Sequence, residues 1–392
     1  MKTHHGLIGL ADTPGDLADL DEAVSIHRRV LDCSSSAPQP DRSSTLLHLG
    51  NALQTRFQHL DIIGDLEEAI SVLKEALHLR SPSHVDRSGP LNSLGLALRT
   101  HFGECSGALI ELDEAISLFR EALHLRPKPH PERSGTLNNL GGALRIRFEQ
   151  TDNLVDLDEA ISIHKEALEL CPVPHPYRSH SLSNLAHDLR TRFEKFGALP
   201  DLNESIYLYR EAVHFRPAPH PDRPWTLRNL AKVLELRFVQ LNSSADLEEA
   251  ISLHREDLEL RPMPNGERWR SLVCLGMCLR TRYKLEGAVT DREEALSMDR
   301  EAIDICTPPQ THYLGVVRCL IADLVLQFRN KREMETVCEL IKLFQQIVDA
   351  PSADKKDQSW ALEGLTVVLR ERDQFQAESS RDAEEAQKLE ES

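Results

Sequence analysis

The sequence predicts an all-α fold: an α-solenoid of about seven helix hairpins with an unpaired helix at each end. Three observations predict it. A phrase close to Asp-Leu-Asp-Glu-Ala-Ile-Ser-Leu-x-x-Glu-Ala-Leu recurs, with its small residue at Ala23, Ala69, Ala115, Ala160, Ser205, Ala250 and Ala295. The steps are 46, 46 and then 45 throughout. A second phrase, opened by Leu49, Leu94, Leu140, Leu185, Leu230, Leu275 and Leu320, keeps the same period. Within each period the apolar residues recur at steps of three and four, the signature of a helix face. Self-similarity at a fixed period marks a stacked array, and an array of like units is more often a binding surface than an active site.

The stretch 132–172 justifies the hairpin. Leu137, Leu140, Leu144 and Phe148 form one face of a first helix. Leu157, Ala160, Ile161, His164, Ala167 and Leu168 form one face of a second, after a polar stretch from Glu149 to Val155. Asp156 followed by Glu159 reads as a capping-box-like start for the second helix. The pair recurs at Asp19/Glu22, Asp65/Glu68, Asp201/Glu204, Asp246/Glu249 and Asp291/Glu294. Pro127, Pro172, Pro217 and Pro262 stop the second helices. The next helix opens in a Pro-rich joint such as His130-Pro131-Glu132-Arg133, where a first-turn proline is tolerated.

Counting along the chain gives seven pairs, a lone second helix near Asp19–Cys33 and a lone first helix near Trp360–Arg370. Leu340, Phe344 and Ile347 replace the small residues of the last pair, as expected where an edge unit caps the core. The first unit lacks most of its opening helix, which reads as a truncated or mis-assigned start. The charged stretch from Glu378 to Ser392 is expected to fray.

Composition narrows the function. A formal net charge of -17 opposes a general binder of nucleic acid or of an anionic membrane. Eight cysteines without paired spacing point to reduced thiols and a cytoplasmic protein. No apolar run approaches a membrane span.

The hairpin resembles a tetratricopeptide repeat (TPR). Leu140, Gly141 and Leu144 match its positions 7, 8 and 11; Ala160, His164, Ala167 and Pro172 match positions 20, 24, 27 and 32. The usual TPR period is 34 residues. Here seven more lie inside the hairpin and four between units, as in the long-helix repeats of kinesin light chain. The wording of the joints is similar to TPR arrays of mushroom-forming fungi, which often precede a CHAT protease-like domain; the array leaves no room for one here. The resemblance implies a right-handed superhelix over residues 16–372, preceded by a tail or truncated helix at 1–15 and followed by a charged tail at 373–392.

The resemblance also places first helices on the concave wall, with positions 2, 5, 6, 9 and 12 facing the groove. The groove candidates are then Arg99, Asn138, Asn139, Arg145, Asn184, His187, Arg190, Trp225, Arg228, Asn229, Lys232 and Arg280. Arginine forks suit carboxylates and asparagines suit an extended backbone. The competing reading pairs these arginines with acids of neighbouring helices. Trp225, Arg228 and Lys232 share a helical face and are the preferred hot spot.

Arg42, Arg87, Arg133, Arg178, Arg223 and Arg268, each near a helix start, read as structural. So do His84, His130, His175 and His220 in the joints, too far apart for one ion. Cys274, Cys278 and Cys319 read as small core residues rather than zinc ligands. No nucleophile elbow or phosphate loop is present. The sequence therefore predicts a non-enzymatic scaffold without cofactor or metal, binding a peptide segment, acidic or carboxylate-bearing, of another protein. The alternative is a sensor or regulatory subunit of a signalling or innate-immunity system, acting with a separately encoded CHAT-type protease or NTPase.

Overall fold

A computed structural model of the chain describes residues 14–33, 39–82, 84–105, 107–306, 312–350 and 353–390. Among these residues there are sixteen α-helices and no strand. Helix α1 (Pro14–Cys33) stands before the first hairpin and α16 (Lys355–Glu390) after the last. The first helices of the seven hairpins are α2 (Gln39–Leu60), α4 (Ser88–Glu104), α6 (Arg133–Thr151), α8 (Arg178–Phe196), α10 (Arg223–Leu241), α12 (Arg268–Glu286) and α14 (Tyr313–Asn330). The second helices are α3 (Ile63–His78), α5 (Leu109–Leu125), α7 (Leu154–Glu169), α9 (Leu199–His214), α11 (Ser244–Glu259), α13 (Val289–Ile305) and α15 (Met334–Asp349). The all-α hairpin array expected from the period is thus the observed architecture.

The chain divides into two compact units, Met1–Val233 and Leu234–Ser392. In the first, each helix from α1 to α9 packs on the next, and α2, α4, α6 and α8 lie side by side in a row. In the second, α11 to α16 pack in sequence order. The seam is made of the repeated Leu and Ala. Leu94, Leu140 and Leu185 are at most 2% exposed, and Ala69, Ala115 and Ala160 are fully buried. Burying each such leucine contributes about 1.5–3 kcal/mol.

The recurring Asp of the second helix does not cap it. The helix begins two residues earlier, and the caps are Ile62, Asn153, Ala198, Ser243 and Ala288. Of these five, Asn153 alone uses its side chain, accepting from Val155 N–H. Asp65, Asp156, Asp201, Asp246 and Asp291 sit buried in the first turn. Each accepts two hydrogen bonds from the arginine nine residues upstream, Arg56, Arg147, Arg192, Arg237 and Arg282, at 2.6–2.8 Å. A bidentate guanidinium outcompetes a backbone N–H for a carboxylate. The α4/α5 hairpin exchanges both partners at once: His101 replaces the arginine, Glu111 replaces the aspartate, and they meet at 3.0 Å.

The joints are structural. Arg87, Arg133 and Arg268 donate to the last carbonyls of the preceding second helix and pair with Glu121, Glu166 and Glu301 of the following one. Arg42 and Arg178 make the same ion pair with Glu75 and Glu211. His84, His130, His175 and His220 each accept a backbone N–H two residues on through Nδ1. A cis proline follows Lys128, Val173, Ala218 and Met263 in four successive joints.

The expected frayed end differs. Helix α16 continues through 378–390 to Glu390, since Glu, Ala, Gln and Lys are strong helix formers. Residues 1–13 of the N-terminal segment and residues 391–392 lie outside the described residues.

Candidate functional site

One set of repeat positions gathers the polar chemistry between hairpins. Position 12 of a first helix, position 24 of its second helix and position 10 of the next first helix form a three-residue node. In α6, α7 and α8 the node is Arg145, His164 and Asp188. His164 Nδ1 lies 2.5 Å from Asp188 Oδ2, and Arg145 Nε lies 3.4 Å from Asp188 Oδ1 as an ion pair. Arg145 Nη1 also donates to Glu149 Oε1 at 2.6 Å. Asp188 and His164 are fully buried. Gly141 makes room for the imidazole, because a Cβ there would collide with the ring.

In α12, α13 and α14 the node is Arg280, Asp299 and Asp323, with Nη1 of Arg280 at 2.8 and 2.9 Å from the two carboxylates. Burial pushes Asp299 up to about 7, the charge of Asp323 adds to this, and Arg280 opposes it. The edge nodes carry no charge: Gln54, Leu73 and Ala97 at one end, Val325, Phe344 and Val368 at the other.

Helices α4, α5 and α6 place Arg99, Phe119 and Ala143 at these positions. Phe119 and Ala143 are fully buried and offer no charge. Arg99 has no hydrogen-bond or ion-pair partner among the described residues, and Arg145 is its charged neighbour. Burial first, and Arg145 second, lower its pKa to about 10, so the guanidinium stays cationic at neutral pH. Gly142 leaves the space that Arg99 fills, since a Cβ there would stand 3.0 Å from Nη1.

Arg99 opens into a recess with about 510 Å³ of empty space, part of it solvent. Six of the residues expected to line a groove meet there: Arg99, Asn138, Asn139, Arg145, Asn184 and Trp225. Asn184 donates to Asn138 Oδ1 at 3.4 Å and Asn139 to Asn92 Oδ1 at 3.2 Å, a ladder running from one first helix to the next. Trp225 stands edge-on to Tyr209, ring centroids 6.5 Å apart. The Tyr209 hydroxyl is buried without a partner, and that burial pushes its pKa up.

Sequence reasoning missed four lining residues: Gly142, His180, Arg216 and Asp222. Burial, then Arg216, lowers His180 to about 3, so its imidazole is neutral. Arg216 bonds the hydroxyls of Thr226 and Ser183 and lies 3.7 Å from Asp222. A glycine at position 9, where other units carry Asn51, His187 or Lys232, was the available signal.

The other six candidates do not line the recess. Arg190 bonds His187 Nε2 at 2.8 Å and lies 3.4 Å from Glu194. Asn229 Nδ2 donates to the Trp225 carbonyl. Arg228 is half-buried, and its Nη1 has no hydrogen-bond partner. Lys232 is half-buried one turn further along α10. Arg280 belongs to its acidic node.

Paired helices and interlocking nodes define a helical-repeat protein. Residues 134–177 match the family described as tetratricopeptide repeat. The frame of that segment recurs along the sequence, and the helix pairs share the fold of tetratricopeptide-repeat arrays. No curated protein matches the chain. Among solved structures, the human IFIT1 dimer with PPP-AAAA is similar at 14% identity and a TM-score of 0.55, over 90% of this chain and 69% of that one. PilF of Pseudomonas aeruginosa is 18% identical, with a TM-score of 0.46, over 71% of this chain and 97% of that one. A putative kinesin light chain from Podosopora anserina, with nearly identical TPR-like repeats, is 17% identical with a TM-score of 0.41, over 55% and 97%. Among the described residues no helix is long and apolar enough to cross a membrane.

Proposed function

We propose that the chain is a non-enzymatic interaction module. A segment of another protein lies along the first helices of the unit Met1–Val233, and one of its carboxylates pairs with Arg99. The observation that carries this reading is the charge count around the recess. Arg145 is matched by Glu149 and Asp188, and Arg216 by Asp222 and two hydroxyls. Arg99 is matched by no partner among the described residues. It is half-buried, and a partly desolvated cation without a counter-charge attracts an anion. Asn138, Asn139 and Asn184 offer amides to a peptide backbone, and Trp225 offers a rigid apolar face. The lining brings no hydroxyl or thiol nucleophile against a base.

Arginine, amide and indole together suit a carboxylate-bearing protein segment. A net charge of -17 works against a long polyanion. The test is binding of aspartate- and glutamate-bearing peptides, beside their amide counterparts, to the chain and to Arg99→Gln. A charge-assisted bond contributes about 1.5–3 kcal/mol, so acidic peptides should lose roughly tenfold to a hundredfold in affinity. Amide peptides should be unaffected. Equal affinity of both proteins for every acidic peptide rejects the assignment, as does tighter binding of PPP-AAAA than of any peptide.

A further inference from the structure

The node in the unit Leu234–Ser392 that begins at Glu235 carries a different chemistry from its counterparts. Where Arg145 and Arg280 supply a guanidinium, this node has a carboxylate. Its partners are His254 at position 24 and Cys278 at position 10. His254 Nε2 lies 2.9 Å from Glu235 Oε1, and Cys278 Sγ lies 3.4 Å from the same oxygen. All three potential ligand atoms fall within 4.8 Å of one another. His254 is fully buried, Cys278 is 3% exposed, and the Glu235 side chain keeps 17% of its surface open.

We propose that Glu235, His254 and Cys278 bind a divalent cation of the zinc type. The three donor types are those zinc accepts: carboxylate oxygen, imidazole nitrogen and thiolate sulfur. Tetrahedral zinc with bonds of about 2.0–2.3 Å holds such ligands roughly 3.3–3.6 Å apart. The observed separations of 2.9 and 3.4 Å lie within tenths of an ångström of that, and the third pair, His254 and Cys278, lies within 4.8 Å. The nodes of Arg145 and Arg280 show the electrostatic logic. A cation sits between polar side chains at the same three positions, supplied by Arg145 in one and Arg280 in the other. Here the protein supplies the anionic ligands, and the metal supplies the positive charge.

The proton balance is simple. Binding displaces the Cys278 thiol proton to solvent and takes the lone pair of His254 Nε2, so the neutral ring carries its proton on Nδ1. Nδ1 is buried without a hydrogen-bond partner, so no fixed bond there opposes that tautomer. The open edge of Glu235 gives the ion an entry path and leaves the fourth position to water.

The test uses the full chain, stripped with chelator and titrated with Co²⁺ under reducing conditions. A near-ultraviolet thiolate-to-cobalt band should rise and saturate at one ion per chain, and Zn²⁺ should abolish it. Cys278→Ala, which keeps the seven other cysteines, should lose the band. Glu235→Gln should weaken binding at least tenfold and remove most of the Zn²⁺-induced rise in unfolding temperature. Far-ultraviolet circular dichroism reports whether each variant is folded; if Cys278→Ala is not, Glu235→Gln decides. No saturable band in the folded chain overturns the proposal. So does a band unchanged in a folded Cys278→Ala, or metal affinity unchanged in Glu235→Gln.

Discussion

Arg99 and Arg145 hold the same position in successive hairpins, and their surroundings are opposite. Arg145 faces a buried carboxylate that also holds His164. Arg99 faces the positions of a phenylalanine and an alanine. The arginine alone therefore does not decide whether a unit is a brace or a binding point. The residues at position 24 of the same hairpin and position 10 of the next contribute to that distinction, as does an acid one turn along the same helix: Glu149 serves Arg145, where Arg99 has Gly103. A repeat array can move from structural to functional chemistry by changing the few residues around one arginine while the helices and their seams stay the same.

The largest effect that would break this comparison comes from Asp188. It is fully buried and contacts both Arg145 and His164. Asp188→Ala leaves a buried cation short of its counter-charge, which costs about 3–5 kcal/mol. Hydrogen exchange of amides in α6, α7 and α8 should show that loss locally. A change below about 1 kcal/mol would mean that the node does not brace the hairpins, and that Arg145 is no different in kind from Arg99.

The helices were legible because a 45-residue period and a helical apolar step leave no other reading. The clasps were not. Arg147 and Asp156 are separated by a polar turn, and in sequence the aspartate looks like a cap with its glutamate three residues on. The signal lay in comparing units: where Arg becomes His101, Asp becomes Glu111. The nodes were hidden for a related reason. They join three helices, and their members lie 19 and 43 residues apart, a spacing no single-helix pattern examines. Position 12 pointed to Arg99, but its isolation became visible only with Phe119 and Ala143 in register.

A smaller effect sharpens the comparison through the acidic node. Arg280 faces two carboxylates, while Arg292 lies near Asp323 and the Cys319 thiol stands beside Arg280. Burial raises Asp299 to about 7, well above its ordinary carboxylate value. A group whose folded pKa is raised adds stability that is fully present below the unfolded value and is lost as pH rises through the folded one. The helices α12 to α14 should therefore lose about 1–3 kcal/mol of local stability between pH 5 and pH 8. Asp299→Asn should flatten that slope. Hydrogen exchange or unfolding at several pH values reads it, and an unchanged slope in the variant would assign the titration elsewhere.

The smallest expected effect is the most discriminating. Arg99→Met keeps an unbranched side chain of similar length and removes the charge. If Arg99 were a brace like Arg145, the change would strand a partner and destabilise α4 to α6. Arg99 has no such partner among the described residues, so what is removed is a half-buried cation near Arg145. Removing its charge strands no partner there and relieves its repulsion from Arg145. Unfolding should then stay within about 1 kcal/mol of the parent, or rise. Loss of acidic-peptide binding without loss of stability would separate a binding residue from a structural one. A drop of more than about 2 kcal/mol would place Arg99 among the braces. The two positions would then differ only in which groups they hold.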